Sequence, residues 1–153
     1  MSERNTHHAT FSIERIYPAA PARVFKAWSD QPSKARWFAC HDDWTPGKHE
    51  MDFRVGGRER LSMTPPDGVA HRFDAIYQDI VPGERIIYAY DMHLDDRRIS
   101  VSLATVEFTA EGKGTRLVFT EQAAFLDGFD DVGARDRKLG TEAGLDNLGA
   151  MFA

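Results

Sequence analysis

Three ionisable side chains fall where they could polarise a bound molecule. His71 and Glu121 alternate with large apolar residues in predicted strands, and Arg137 falls on the inward stripe of a predicted C-terminal helix. A charged group that faces a core must be paired, or it must serve binding or acid–base chemistry. The alternatives are a satisfied core or edge position for His71 and Glu121, and a solvated helix end for Arg137. Anion recognition is the functional hypothesis for Arg137.

Established catalytic and metal-binding motifs are absent from the sequence. It contains no GxSxG, HExxH or Walker sequence, and no GxGxxG that opens a helix. The densest group of potential metal ligands is His41, Asp42 and Asp43, beside the single cysteine Cys40. Adjacent loop residues rarely converge on one ion. We therefore predict neither a metal site nor a cofactor, and the sequence alone does not decide whether the protein is an enzyme.

The composition excludes several classes of function. The 153 residues carry 19 Lys and Arg against 24 Asp and Glu, a formal net charge of -5. The basic residues are scattered, which argues against nucleic acid as a partner. No apolar run approaches the roughly 20 residues that cross a bilayer, and the start MSERNTHHATF lacks a secretory apolar region. A single cysteine suits a reducing compartment, so we expect a cytoplasmic protein.

Alternation and turn residues predict an α+β architecture. A strand at 11–17 is followed by a helix of about nine residues that starts at Pro21 and by a second short helix that starts at Pro32. Short turn spacing then predicts six antiparallel strands, at roughly 48–55, 58–64, 70–81, 85–93, 99–110 and 115–124. A long helix is predicted at 133–152. Residues 1–9 are expected to be disordered, and residues 10–153 to form a single domain.

The long helix lacks large side chains on half of its inward side. Helical spacing puts Gly140, Thr141, Gly144 and Leu148 on the side that must face the sheet. Glycine costs about 1 kcal/mol relative to alanine in a helix interior, so two inward glycines need a compensation. Close approach of a strand or an aromatic ring is one explanation. A ligand cavity between helix and sheet is the other.

The predicted strands supply aromatic residues to the same space. Tyr88 and Tyr90 share a face that we assign to the interior, and Phe73 and Tyr77 share a face with His71. Alternation in the next two strands groups further candidate lining residues, namely Val101, Leu103 and Thr105, and then Leu117, Phe119 and Glu121. Tyrosines with apolar bodies and polar tips suit either a core or a site for an amphipathic ligand.

Four segments of the sequence resemble those of one protein family. They are VFKAWSDQPSKARWF, MDFRVGGRER, YQDIVPGERIIYAY and TVEFTAEGKGTRLVFTEQAAF. They are similar to the activator of heat-shock-protein (Hsp) ATPase homologue-like branch of the START-like, or SRPBCC, superfamily, over about residues 11–152. The resemblance implies a helix-grip fold, in which a seven-stranded antiparallel sheet curves around a long C-terminal helix and two short helices lie between strands 1 and 2.

The resemblance also bears on the function and on the cavity. Members of this superfamily bind lipids, polyketides or hormones, act as cyclases, or stimulate a chaperone. Such proteins usually carry Gly-Trp at the start of the last helix, where this sequence has Gly140 and Thr141. The space of the missing indole is therefore either open or filled by another aromatic residue such as Trp37 or Trp44.

We predict that a small hydrophobic or amphipathic molecule binds between the sheet and the C-terminal helix. A cyclase- or hydrolase-type enzyme that uses the same cavity, and a chaperone-associated interaction module, are the alternatives. Neither a nucleic-acid partner nor a membrane span is expected, and a homodimer through exposed strand edges stays open. The predicted ligand-binding residues are Trp37, Phe73, Tyr77, Tyr88, Tyr90, Phe119, Glu121, Arg137, Gly140, Thr141, Gly144 and Leu148.

Overall fold

Seven antiparallel strands form one sheet, and a long C-terminal helix lies over its inner face. The structure, a computed structural model, describes residues 4–38 and 42–153. The strands are β1 (Thr6–Tyr17), β2 (Thr45–Met51), β3 (Arg58–Thr64), β4 (His71–Val81), β5 (Arg85–Leu94), β6 (Arg97–Glu111) and β7 (Gly114–Leu126), and the helices are α1 (Pro21–Ser29), α2 (Gln31–Lys34) and α3 (Asp131–Ala150). The strand order is β1-β7-β6-β5-β4-β3-β2. The predicted α+β helix-grip fold is confirmed.

The first strand is longer than the sequence pattern predicts. It begins at Thr6 rather than at residue 11, and Thr6 pairs with Leu126 while Ala9 pairs with Ala123. The prediction that residues 1–9 are disordered is therefore wrong for residues 6–9. Backbone hydrogen bonds to β7 order this polar segment, and such bonds do not depend on side-chain hydrophobicity.

The two short helices bring an aromatic wall to the inner face of the sheet. Pro21 occupies the first turn of α1, where its missing N–H group is tolerated. The Asp30 side chain accepts a hydrogen bond from a backbone N–H in the first turn of α2 and so caps that helix. Beyond α2, Trp37 Nε1 donates to the carbonyl oxygen of Ala27 at 3.0 Å, and its ring meets the ring of Trp28 edge-on. This arrangement buries both indoles.

The inner face of β6 is small and polar, which corrects the predicted grouping. Ser100 and Ser102 are buried, whereas Val101 and Leu103 are 42% and 38% exposed on the outer face. The assignment of Val101, Leu103 and Thr105 to the candidate lining is therefore wrong. A hydrophobicity pattern favours burial of the valine and the leucine, but the serines here face inward because they bond to charged side chains on neighbouring elements.

The C-terminal half of α3 contributes the buried side chains of this helix. Leu145 and Leu148 are the residues of this helix that are fully buried. Tyr17 donates through its hydroxyl to the carbonyl oxygen of Leu145, and Arg15 Nε donates to Asp146 Oδ1, both at 2.8 Å. These bonds hold the second half of α3 on β1. A cavity lies between the sheet and the stretch of α3 from Gly133 to Leu145.

Candidate functional site

A cavity of about 580 Å³ lies between α3 and the inner face of the sheet. Ligand sites in proteins typically have volumes of a few hundred to about 1,000 Å³, so this one is large enough for a small molecule. Its walls are mostly aromatic and aliphatic, and all three tryptophans of the chain, Trp28, Trp37 and Trp44, contribute to them. The cavity therefore offers an apolar environment that a hydrophobic molecule would prefer to water.

The structure brings most of the predicted ligand residues to this cavity. Those that line it are Trp37, Phe73, Tyr88, Tyr90, Phe119, Glu121, Arg137, Gly140, Thr141 and Gly144. Tyr77 and Leu148 do not line it, because the Tyr77 hydroxyl donates to Glu59 at 2.6 Å and Leu148 is fully buried in the packed half of α3. The lining residues outside the predicted set are Trp28, Phe38, Trp44, Leu61, Met63, His71, Met92, Leu94, Ile99, Phe125, Phe129, Gly133, Asp136 and Leu145.

Gly140 and Gly144 face open space. Apart from neighbouring residues of the helix, a Cβ atom added at either position would have no described atom within 4 Å. At Gly149, in the packed half of α3, the added Cβ would lie 3.1 Å from Tyr17 Cε1. Close approach therefore explains Gly149 but is the wrong explanation for Gly140 and Gly144. Thr141 lines the same opening.

Alanine at Gly140 or Gly144 is expected to raise the free energy of unfolding by roughly 0.5–1 kcal/mol per substitution. Alanine is the better helix former, and the added methyl group meets no neighbour. Equilibrium denaturation in urea measures the change. Gly149→Ala is the matched control in the same helix, where a smaller gain or a loss is expected because the Tyr17 ring must move. A clear loss of stability in G140A and G144A would mean that α3 is packed on the sheet at these positions.

One wall of the cavity carries a buried ion pair between Glu121 and Arg137. Arg137 Nη1 donates to Glu121 Oε2 at 2.9 Å, and the side chain of Glu121 is fully buried. The carboxylate also accepts from the hydroxyls of Tyr90 at 2.8 Å and Ser102 at 2.7 Å, and Arg137 Nη2 donates to Ser100 Oγ at 2.7 Å. The Arg137 side chain is only 13% exposed. A solvated Arg137 is therefore the wrong interpretation, because its guanidinium reaches a carboxylate on the inner face of β7.

The pKa shifts in this cluster keep its protons in place near neutral pH. Burial lowers the pKa of Arg137, but the neighbouring Tyr90 and Glu121 outweigh it, so the net shift is upward. Burial raises the pKa of Tyr90 far above its ordinary value, although the Arg137 charge acts in the opposite direction. Arg137 therefore stays cationic and the Tyr90 hydroxyl stays protonated, which makes both of them hydrogen-bond donors.

A second buried cluster lies beside the cavity and joins α2 to the sheet. Lys34 Nζ donates to Glu59 Oε1 at 2.6 Å, and both side chains are 1% exposed. His49 Nε2 lies 2.8 Å from the other carboxylate oxygen, and the Tyr77 hydroxyl donates to Glu59 Oε1. The ammonium group also lies 4.4 Å from the ring centroid of Phe38, which lines the cavity. Four elements thus meet at one carboxylate, and the cluster supports the cavity wall.

The sequence interpretation missed this second cluster, although one signal for it was available. Alternation in β3 puts Glu59 on the same face as the buried Leu61 and Met63. An inward glutamate in a strand needs a buried partner. The partner Lys34 gives no comparable signal, because it lies in a short helix among polar residues and reaches Glu59 only through the tertiary fold.

Acid is expected to weaken the fold through Glu59. Burial raises the pKa of this carboxyl group, but the Lys34 charge and hydrogen bonds from His49, Lys34 and Tyr77 together lower it from 4.5 to about 2. Because the folded pKa lies below the unfolded one, the stabilisation is fully present above pH 4.5 and is lost as the pH falls from there toward 2. It amounts to roughly 3 kcal/mol.

Urea denaturation between pH 7 and pH 2 tests this expectation. The free energy of unfolding of the protein should fall across this window, and Glu59→Gln should be less stable at pH 7 but show a flatter dependence. Glu50→Gln, which removes the exposed partner of Lys48 on the neighbouring strand, is the matched control and should leave the slope nearly unchanged. If the free energy of unfolding depends on pH equally in the protein and in E59Q, Glu59 is excluded as the source of that dependence.

The described residues contain no cluster suited to a metal ion. Within residues 4–38 and 42–153, no three His, Cys, Asp or Glu side chains come together to hold one. Of the potential ligands His41, Asp42 and Asp43, His41 lies outside the described residues, as does the neighbouring Cys40. In the same part of the chain, no helix has the length and apolar character needed to cross a membrane.

Comparison with known proteins identifies relatives of the same fold. The family model described as activator of Hsp90 ATPase homolog 1-like protein matches residues 18–153. An uncharacterised protein from Rhizobium leguminosarum is 54% identical, with a TM-score of 0.91 and 97% of each chain covered. A protein from Rhizobium loti is 44% identical, with a TM-score of 0.87 and 95% of this chain and 98% of that chain covered.

A more distant relative has the same architecture. The AHSA1-like protein from Aeromonas hydrophila is 25% identical, with a TM-score of 0.72 and 93% of this chain and 90% of that chain covered. No curated protein matches the sequence.

Proposed function

The chain belongs to the activator of Hsp90 ATPase homolog 1-like family of the START-like/SRPBCC superfamily, and we propose that it binds a small apolar or amphipathic molecule in the cavity between α3 and the sheet. Proteins of this superfamily commonly bind hydrophobic ligands. The observation that carries the proposal is the open space in front of Gly140 and Gly144, where a packed helix would present side chains.

The composition of the walls supports an amphipathic occupant. Aromatic rings face the space from several elements, with Tyr88 and Phe119 on the sheet, Trp28 on α1 and Trp37 just beyond α2. Polar groups are few, and a hydrogen-bonded cluster around Glu121 and Arg137 lies on one wall. Ligand sites commonly combine an apolar majority with a small number of oriented polar groups. The hydrophobic effect would supply the affinity, and the polar wall would orient the molecule.

A cyclase- or hydrolase-type enzyme is the second candidate, favoured by the presence of His71, Glu121 and Arg137 on one cavity. The electrostatics favour binding over acid–base catalysis. A general acid or base works best when its pKa lies near the working pH, whereas the pKa values of Tyr90 and Arg137 are both shifted further above neutrality. Glu121 already accepts hydrogen bonds from three side chains, which oppose its use as a free base.

We also propose a cytoplasmic location, because the chain has a single cysteine and thus no internal disulfide. Residues 10–153 are proposed to act as one domain, since β1 to β7 belong to one sheet. The proposed partner is the small molecule itself, and a homodimer is compatible with this function.

Energy transfer from tryptophan to a neutral naphthalene probe tests the proposal. N-phenyl-1-naphthylamine has 17 non-hydrogen atoms, and all three donor tryptophans line the cavity. We expect saturable 1:1 binding with a Kd at or below about 200 µM, since a molecule of this size obtains roughly 0.3 kcal/mol or more per non-hydrogen atom. Absence of saturable transfer to this probe, together with no thermal stabilisation of the protein by a panel of lipids and polyketides, would contradict ligand binding.

A further inference from the structure

We propose that the molecule held in this cavity presents a neutral acceptor oxygen, such as a ketone or ester carbonyl, to the guanidinium of Arg137, and that the cavity rejects a carboxylate at the same position. This inference presupposes the ligand binding proposed above and adds the chemistry of the ligand's polar end. The supporting observations are the unused donors of Arg137, the charge that already balances it, and its apolar surroundings.

Arg137 has more donors than the protein uses. A guanidinium group carries five N–H bonds. Nη1 donates to Glu121 at 2.9 Å and to Tyr90 at 3.0 Å, with a longer contact of 3.4 Å to Ser102, and Nη2 donates to Ser100 at 2.7 Å. Among residues 4–38 and 42–153, no acceptor bonds to Nε, and Nη2 has that single partner. Two N–H bonds are therefore available to a ligand.

These unused donors remain accessible. Among the described residues, the side-chain nitrogen and oxygen atoms that are sealed from solvent without a hydrogen bond are Trp28 Nε1 and His93 Nδ1. Arg137 Nε is not one of them, so it keeps contact with the cavity or with solvent. Arg137 also lines the cavity and is 13% exposed. An acceptor oxygen that enters the cavity can therefore reach the guanidinium.

The charge of Arg137 is already balanced. Glu121 is fully buried and makes an ion pair with it at 2.9 Å. The other acidic residue on the cavity wall is Asp136, which is exposed and adjacent to Arg137 in the chain. With histidine counted as neutral, the ionisable groups of the lining, Glu121, Asp136 and Arg137, carry more negative than positive charge. A carboxylate placed here would meet repulsion from Glu121 and Asp136 that the single guanidinium does not offset.

The surroundings increase this discrimination. The guanidinium carbon lies 5.1 Å from the ring centroid of Phe125 and 5.6 Å from that of Tyr90, so two aromatic rings lie beside the largely buried group. Removing a carboxylate from water into such a site is expensive unless a free counter-charge awaits it. A carbonyl oxygen loses much less hydration and gains a hydrogen bond from a charged donor.

A series of three ligands with one naphthalene body tests the inference. They are 2-acetylnaphthalene, 2-ethylnaphthalene and 2-naphthoate, which differ at the substituent and are measured by displacement of N-phenyl-1-naphthylamine at pH 7.5. We expect the ketone to bind about tenfold tighter than the ethyl compound, and the carboxylate to bind at least tenfold weaker than the ketone. Equal affinities of the ketone and the ethyl compound, or a carboxylate that binds as tightly as the ketone, would overturn the inference while ligand binding itself stands.

The variant Glu121→Gln tests the role of charge directly. It keeps the shape of the side chain but leaves Arg137 without its counter-charge, so 2-naphthoate should gain at least tenfold in affinity and approach or exceed the ketone. An unchanged order of affinities in a folded E121Q would contradict the charge balance. If E121Q does not fold, the order of the three affinities in the unmodified protein is the test of the inference. If the probe binds but none of the three ligands displaces it, the inference fails while ligand binding stands, and if the probe does not bind at all, the proposed function fails and the inference fails with it.

Discussion

Replacing Gly144 by phenylalanine is expected to reduce the affinity for a cavity ligand at least 30-fold, or about 2 kcal/mol, without loss of stability. Gly144 lines the cavity, and a Cβ atom there would have no described atom within 4 Å beyond the neighbouring helix residues. A benzyl group at this position would occupy the volume that the ligand needs. Phenylalanine is a better helix former than glycine and would cover apolar wall surface, so the free energy of unfolding should stay the same or rise by up to about 1 kcal/mol.

The probe titration and a urea denaturation curve measure these two effects. Ala143→Phe is the matched control, because Ala143 is the exposed neighbour of Gly144 in the same helix and does not line the cavity. It should leave the affinity unchanged. Thr141→Trp, which puts an indole into the same cavity, should act as G144F does. Full affinity in both G144F and T141W would mean that ligands bind elsewhere, and a large loss of stability would mean that the space is not open.

Removing the charge of Lys34 is expected to destabilise the fold by roughly 3–5 kcal/mol. The change Lys34→Met keeps the length and the apolar contacts of the side chain but leaves the carboxylate of Glu59 buried without its cation. His49 and Tyr77 would still contact Glu59, so the loss should fall in the lower part of that range. Urea denaturation at pH 7 measures the free energy of unfolding. The probe should also bind more weakly, because Phe38 packs on the ammonium group and lines the cavity.

Two further variants separate the buried charge from other causes. Lys48→Met removes the cation of an exposed pair with Glu50 on the neighbouring strand and should cost less than about 1 kcal/mol. The double variant K34M/E59Q removes both buried charges and should recover part of the stability that K34M loses, since no unpaired charge remains. A loss in K34M no larger than that in K48M would mean that the Lys34–Glu59 pair does not hold α2 to the sheet.

The fold was largely predictable because its elements have strong local signals. Alternation and turn residues predicted six strands that correspond to β2–β7, although β2 covers Thr45–Met51 rather than 48–55, and Pro21 marked the start of α1. Helical spacing alone put Gly140 and Gly144 on the inward side of α3, which is the feature that led to the cavity. The start of β1 was missed because residues 6–9 are polar, and their order comes from backbone pairing with β7 rather than from burial.

The polar groups of the site were harder to predict, because their partners are set by the tertiary fold. The sequence indicated Arg137 and Glu121 separately as candidate site residues. No local pattern predicts that the position of α3 on the sheet pairs them. Ser100 and Ser102 were passed over because a hydrophobicity pattern assigns Val101 and Leu103 to the interior. The serines face inward because they bond to the ion pair, which a pattern based on burial of apolar residues cannot detect.

A crystal structure of the protein with 2-acetylnaphthalene tests the central claim most directly. We expect electron density for the ligand between Tyr88 and Phe119 on the sheet and Gly140 and Gly144 on α3, with its carbonyl oxygen about 3 Å from Nε or Nη2 of Arg137. The helix should keep its distance from the sheet. An empty cavity at saturating ligand, a ligand bound only on the outer surface, or a helix collapsed onto the strands would contradict the proposal that this space is a ligand-binding site.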